Sequence, residues 1–185
     1  MIKKFLPLFI LLTSLLHAER PVAYFSHKDK IVQQLVRCIQ QEEQKIQMAV
    51  YTISHRGVIH ALLQAKKRGV VVELLVDPAS LRARTSLARL AEAGVALFIW
   101  QSPAIPKGNA LMHHKFCLFG NRLLWTGSCN FTLNADRLNQ ENALLLDDGE
   151  LVRQYRSTFE ELKRGGAISY DSYLKKQIEE KGVPS

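Results

Sequence analysis

Apolar positions along the chain recur with two different periods, and the switches between them mark out the elements. Residues 22–25 form a short apolar run. Ile31, Val32, Leu35, Val36 and Ile39 then recur every three or four positions, which predicts a helix with Ser26 as its candidate N-cap. Ile46, Met48 and Val50 alternate as a strand does. Ser54 is the candidate cap of a second helix carrying Val58, Ile59, Leu62 and Leu63, closed by a basic turn and Gly69. Residues 70–76 are almost continuously apolar, as in a strand covered on both faces. Leu87, Leu90 and Ala91 mark a third helix stopped by Gly94, and 95–100 read as a further strand. After a Pro- and Gly-bearing connection come two apolar runs flanking Gly120-Asn121, then a strand over 140–146. Leu151, Val152, Tyr155, Phe159 and Leu162 predict a long helix, and 172–180 a short one. Strand and helix alternate first and a hairpin follows, so the expected fold is α/β, a mixed sheet sandwiched by helices. Neither an internal repeat nor a second domain is apparent.

Residues 1–18 stand outside this pattern. Lys3 and Lys4 precede an apolar run from Phe5 to Leu16, and Leu16-His17-Ala18 is an acceptable cleavage tripeptide. The run is too short for a bilayer span of about 20 residues. It predicts a secretory signal, or an uncleaved anchor, followed by one domain over 19–185, exported to the periplasm or beyond. Without Lys3 and Lys4, that domain has 23 basic residues against 17 acidic ones, a net charge of +6. Such a surface favours polyanions, either nucleic acid or an anionic lipid surface. Cys38, Cys117 and Cys129 are an odd number for an exported chain and predict no disulfide framework.

The chemistry concentrates in the hairpin. A two-residue turn at Gly120-Asn121 would set Phe119 opposite Arg122, Leu118 opposite Leu123, and His113 opposite Ser128. Period two places His113 and Lys115 on one face, with His114, Phe116 and Leu118 on the other. One face then carries an imidazole, an ammonium and a hydroxyl, with the Asn130 amide just beyond. These groups suit a tetrahedral anion: Lys115, Ser128 and Asn130 donate to its oxygens, and a neutral His113 attacks phosphorus. For Ser128 a turn-forming role stays open. His114, pointing away, reads as a supporting or core residue, which also sets aside zinc held by His113, His114, Cys117 and Cys129. His55 and His60 read as surface residues and Asp77 as a strand-end cap. The 101–111 loop, with Pro103, Pro106, Lys107 and Gly108, leads into His113 and is either a connector or the rim of the pocket.

His113-x-Lys115 followed by Gly127-Ser128-x-Asn130 resembles the phospholipase D superfamily motif. Met112-His113-His114-Lys115-Phe116 with Gly127-Ser128-Cys129-Asn130-Phe131-Thr132 is most similar to its small single-motif endonucleases, the bacterial nuclease and mitochondrial Zucchini-like group. The similarity extends to Ala49-Val50-Tyr51-Thr52, Arg68-Gly69-Val70 and Leu74-Leu75-Val76-Asp77. Gly120 stands where the motif has Asp. That position is the hairpin turn, roughly 23 Å from His113 along an ideal strand, so the change exchanges one turn former for another. The resemblance implies that Glu141, in Asn139-Gln140-Glu141-Asn142, accepts a hydrogen bond from the His113 imidazole and fixes its tautomer. The expected catalytic set is His113, Lys115, Asn130 and Glu141, with phosphate held by Lys115, Ser128 and Asn130.

One histidine cannot both attack phosphorus and move the protons of the leaving group. Two-motif relatives supply the second from the same chain. A chain with a single motif needs it from a partner, which predicts a homodimer with the site on its twofold axis. No metal or cofactor is implied, because Lys115 and two imidazoles carry the positive charge. The expected function is metal-independent, nonspecific hydrolysis of DNA or RNA through a phosphohistidine. A phospholipase acting on cardiolipin or other phospholipids at a membrane surface is the alternative, and an inactive phosphate-binding module the third reading.

Overall fold

The computed structural model describes residues 20–101 and 110–180. The leader expected over 1–18 lies outside the described residues, as does most of the loop expected at the pocket rim.

Eight strands form one mixed sheet in the order β1-β7-β6-β5-β2-β3-β4-β8. Its centre is β2 (Lys45–Val50), parallel to β3 (Val71–Val76), which is parallel to β4 (Ala96–Trp100). The connections are α1 (Ile31–Gln41) before β2, α2 (Arg56–Lys67) between β2 and β3, and a 3₁₀ turn (Pro78–Ala83) leading into α3 (Arg84–Glu92) before β4. On the other side of β2 the sheet is antiparallel: β5 (Lys115–Phe119), β6 (Leu123–Gly127), β7 (Asn142–Asp147) and the edge strand β1 (Val22–Phe25). A short α4 (Leu133–Arg137) joins β6 to β7. Then α5 (Gly149–Gly166) leads to β8 (Ala167–Ser169) and α6 (Tyr170–Glu180). The mixed sheet between helices is the expected architecture. The three-residue β8 was not expected, being too short to show alternation.

The two faces carry separate cores. Ile31, Leu35 and Ile39 of α1 and Val58 and Leu62 of α2 bury against Ile46, Met48, Val72, Leu74 and Trp125. On the opposite face, Val152 and Phe159 of α5 cover Ala49, Leu75, Phe116, Leu118 and Leu124. Burial on both sides explains why β3 reads as one apolar run. Gly69 and Gly94 stop their helices at positive φ, 92° and 80°, where an L side chain would strain the backbone.

Three local readings are corrected. The hairpin turn holds three residues, not two, since Phe119 pairs with Leu123 and Leu118 with Leu124. The register therefore slips by one, β5 begins only at Lys115, and His113 has no ladder partner at Ser128. The α1 helix starts after Lys30, in the left-handed region at φ 51°, and has no side-chain cap. Ser26 instead pairs with Glu141: its hydroxyl accepts from Glu141 N at 2.8 Å and its own N–H donates to Glu141 O at 2.9 Å. At α2 the cap is His55, whose Nδ1 accepts from Gly57 N, rather than Ser54.

Under α5 lies a charged cluster that reaches the hairpin turn. Gln47 donates to Glu73 and Glu160 at 2.8 and 2.9 Å and accepts from Arg156 Nε at 3.1 Å. Arg156 also donates to Asn121 Oδ1 at 2.8 Å and Gly120 O at 2.5 Å. Gly120, at φ 52°, is thus held through its carbonyl at the position where the motif has Asp. Burial alone would raise the Glu73 pKa, but hydrogen bonds from Lys45 and Lys163 outweigh it and hold the carboxyl below its ordinary 4.5. A carboxylate with a depressed folded pKa stabilises above its unfolded pKa, and that contribution is lost as pH falls through the folded value. Glu73→Gln is therefore expected to lower stability at pH 7 and to flatten its loss below pH 4.5, read from urea midpoints across pH.

Candidate active site

The site assembles where the chain leaves β2. Tyr51 N donates to His114 O at 2.8 Å, which extends the β2–β5 pairing by one step. The Tyr51 ring then lies against the His113 imidazole, centroids 4.7 Å apart at 56°. The next residue, Thr52, donates its N–H to Asn130 Oδ1 at 3.4 Å, and Phe131 N returns a bond to Thr52 O at 3.1 Å. Two consecutive residues thus hold His113 on one side and Asn130 on the other. With its oxygen directed at Thr52, the Asn130 amide keeps both N–H donors for a ligand.

Lys115 opens β5 and is only 8% exposed. Its Nζ lies 2.8 Å from His113 Nδ1 and donates to His113 O at 2.6 Å, with the Tyr51 ring centroid 5.5 Å away. An ammonium only donates, so Nδ1 is the bare nitrogen of this pair and the neutral ring carries its proton on Nε2. Burial lowers the Lys115 pKa, opposed by the negative charge of Glu141. His114 stands at the surface on the other face, its ring 5.6 Å from that of Phe116 and nearly perpendicular. Its pKa is lowered by partial burial and then by the charges of Lys115 and His113.

Glu141 and Ser128 form a second pair. Ser128 Oγ donates to Glu141 Oε2 at 2.5 Å and accepts from Asn142 N at 3.0 Å, while Asn139 donates to Glu141 Oε1 at 3.0 Å. Both carboxylate oxygens of Glu141 are therefore engaged by Ser128 and Asn139, not by the His113 ring. Ser128 belongs to the β6–β7 connection as much as to any ligand.

Three residues that support the site had weak signals in the sequence. Asp77 caps the 3₁₀ turn, as expected, but its second oxygen also accepts from Met112 N at 2.9 Å and so fixes the segment entering His113. His55 is half-buried, not a surface residue, with Nε2 3.4 Å from Asp136 of α4. Its backbone N–H donates to Phe131 O at 2.8 Å, which ties α2 to the residue after Asn130. Tyr51 carried only an aromatic identity at a strand end. Cys129, between Ser128 and Asn130, is buried, and burial pushes its thiol up to about 12. All three cysteines are free. Among the described residues no three of His, Cys, Asp and Glu gather as metal ligands would.

These residues gather on an eight-stranded mixed sheet, and comparison with known proteins gives the class of the chain. The family described as cardiolipin synthase, PLD-like domain, matches residues 35–163. The chain belongs to the phospholipase D superfamily and is one of its phosphodiesterases. A mitochondrial cardiolipin hydrolase of Xenopus tropicalis is 31% identical over 153 residues, 82% of this chain and 70% of that protein. A phospholipase D of Rickettsia typhi is 32% identical over 137 residues, 74% of this chain and 64% of its own length. Similar relatives are spanned less fully, down to 48% for the cardiolipin hydrolase of Danio rerio. Among solved structures, Nuc, a phospholipase D family member from Salmonella typhimurium, superposes with a TM-score of 0.68 at 24% identity, over 82% of this chain and 99% of that one. NucT from Helicobacter pylori gives 0.72 at 19% identity, over 80% and 97%. These two likenesses carry the fold.

Proposed function

We propose that this chain is a metal-independent nuclease that hydrolyses DNA or RNA strands through a phosphohistidine on His113, in a site completed by a second copy of the chain. The observation that carries the reading is the His113–Lys115 pair at one side of residues 51–52 with Asn130 at the other. A phosphodiester would take Lys115 and the Asn130 amide on its non-bridging oxygens. By drawing the ammonium off Nδ1, the phosphate lets that nitrogen carry the ring proton and leaves Nε2 bare. Nε2 then bonds to phosphorus as the bond to the leaving oxygen breaks. The leaving alkoxide takes its proton from the partner's imidazole, which afterwards draws a proton from the water that cleaves the phosphohistidine. Glu141 would hold the Nδ1 proton once its hydrogen bonds with Ser128 and Asn139 rearrange. We also infer that the protein works outside the cytoplasm, on the strength of residues 1–18.

Nucleic acid as substrate is supported by 25 basic residues against 17 acidic ones, and by a groove of about 500 Å³ beside the site whose mixed lining carries several hydrogen-bonding side chains and one arginine. Thr52, Ser54, Ser80, Arg82, Thr132 and Asn134 are among the residues lining it. The names of the relatives favour a second reading, a phospholipase. Leu133 and Leu138, 49% and 71% exposed on and just after α4, would suit a lipid surface. The test is incubation with plasmid, single-stranded DNA, RNA and cardiolipin vesicles in EDTA. Cleavage of nucleic acid by wild type and not by His113→Ala is expected. Hydrolysis of cardiolipin with nucleic acid intact would establish the second reading, and no turnover of any substrate an inactive module.

A further inference from the structure

We propose that the cleft between α2 and α3 is a second anion subsite, which holds a backbone phosphate of a nucleic-acid strand whose scissile phosphate lies at His113. The cleft has a volume of about 540 Å³, with Arg56 and His60 from α2 facing Thr85, Ser86 and Arg89 from α3. Two guanidiniums, an imidazole and two hydroxyls offer donors to a phosphate and no carboxylate to repel it.

Several of the fold's cations are neutralised by carboxylates: Lys45 and Lys163 on Glu73, Arg122 on Asp147, Arg153 on Glu150. Arg56, His60 and Arg89 are paired with no carboxylate among the described residues. The two guanidiniums gathered around one cavity repel each other, and a bound anion relieves that repulsion.

A groove beside the active site runs toward the cleft along two stretches of chain. Thr52, whose N–H donates to Asn130 Oδ1, and Ser54, two residues before Arg56, line it on one side, and Arg82 and Ala83, just before Thr85, line it on the other. A strand following this groove passes Arg82 and then the Arg56–Arg89 cleft. A subsite displaced from the reacting phosphorus serves a substrate carrying a row of phosphates, whereas a phospholipid carries one phosphate, or in cardiolipin two joined by a single glycerol. No Phe, Tyr or Trp is among the described residues lining the cleft, so it would position the backbone without reading bases.

The inference rests on the nuclease reading, and the test separates the two. Arg56→Glu/Arg89→Glu and the conservative Arg56→Lys/Arg89→Lys are compared with wild type in EDTA. The substrates are a single-stranded DNA of about 30 nucleotides and the small diester bis(p-nitrophenyl) phosphate. For the charge-reversed enzyme KM on the long strand is expected to rise about tenfold, with a shallower salt dependence by roughly 0.7 per lost phosphate contact. Turnover of the small diester should stay within about twofold of wild type, and the lysine variant should retain most of the affinity for the strand. An unchanged KM and salt slope on the long strand would overturn the subsite, as would equal losses on both substrates at an unchanged unfolding temperature. Should wild type cleave cardiolipin and no nucleic acid, the nuclease reading fails. Fluorescence anisotropy of the labelled strand on His113→Ala, with and without the charge reversal, still decides the cleft: weaker binding upholds it and equal binding overturns it.

Discussion

His113→Ala is expected to lose phosphodiester hydrolysis by about 10⁴-fold or more, the scale seen when a covalent nucleophile is removed, with folding intact. His113 is exposed and, among the described residues, its ring and hydrogen-bond contacts are with Tyr51 and Lys115, so its removal opens no buried cavity. The stoichiometry is the sharper part of the expectation. If two copies of His113 act on one phosphorus, a dimer with one altered subunit is as inactive as one with two. Equal amounts of wild type and His113→Ala, unfolded and refolded together, should then retain about one quarter of the activity of the same total of wild type. Independent sites would retain about one half. Retention of one half, or full activity in a species that sediments as a monomer, would remove the partner from the mechanism while leaving His113 in place.

The second large effect is structural. Gly127 pairs with Ala143 at the end of the β6–β7 ladder, immediately before Ser128. A Cβ there would stand 2.2 Å from Asn142 O and 2.7 Å from Ala143 Cα. Both neighbours are backbone, so no rotamer change relieves the overlap and the strands must part. Gly127→Ala is expected to cost about 3 kcal/mol, at the upper end of ordinary overpacking. It should appear as a fall in urea midpoint of about 1–2 M. Activity should fall as well, because the Ser128–Asn142 bonds that hold Glu141 lie one residue away. Gly165→Ala in α5, where the added methyl meets nothing within 4 Å, is the control and should be neutral or slightly stabilising. Equal stability of Gly127→Ala and wild type would show that the two strands do not approach this closely.

What the sequence made legible was local. Apolar spacing located both cores, because a face buried against a sheet needs a residue every third or fourth position in a helix and every second in a strand. The His113-x-Lys115 and Gly127-Ser128-x-Asn130 patterns named the chemistry without its geometry. The hairpin register was off because Gly120-Asn121 suggests a two-residue turn, while Arg122 completes a three-residue one, a choice fixed by pairing beyond the turn itself. Ser26 was misread for a related reason: its partner Glu141 is 115 residues away, and no periodicity reports such a contact. His55, Tyr51 and the second oxygen of Asp77 share that invisibility. Each supports the site through a contact that exists only once β2, β5 and the Phe131 segment meet. The departure at Gly120 is resolved in the same terms. The position is the turn, clamped through its carbonyl by Arg156, and lies at the opposite end of β5 from Lys115, where a side chain could not reach His113.

The proposed mechanism turns on a covalent bond between the His113 imidazole and substrate phosphorus. Reaction with an oligonucleotide in EDTA, quenched in alkali where phosphohistidine survives and followed by peptide mass spectrometry, tests it directly. A nucleotide adduct on His113, absent from His113→Ala and discharged by continued exposure to water in the native enzyme, is the predicted result. Efficient cleavage with no adduct, or an adduct on another side chain, would contradict it.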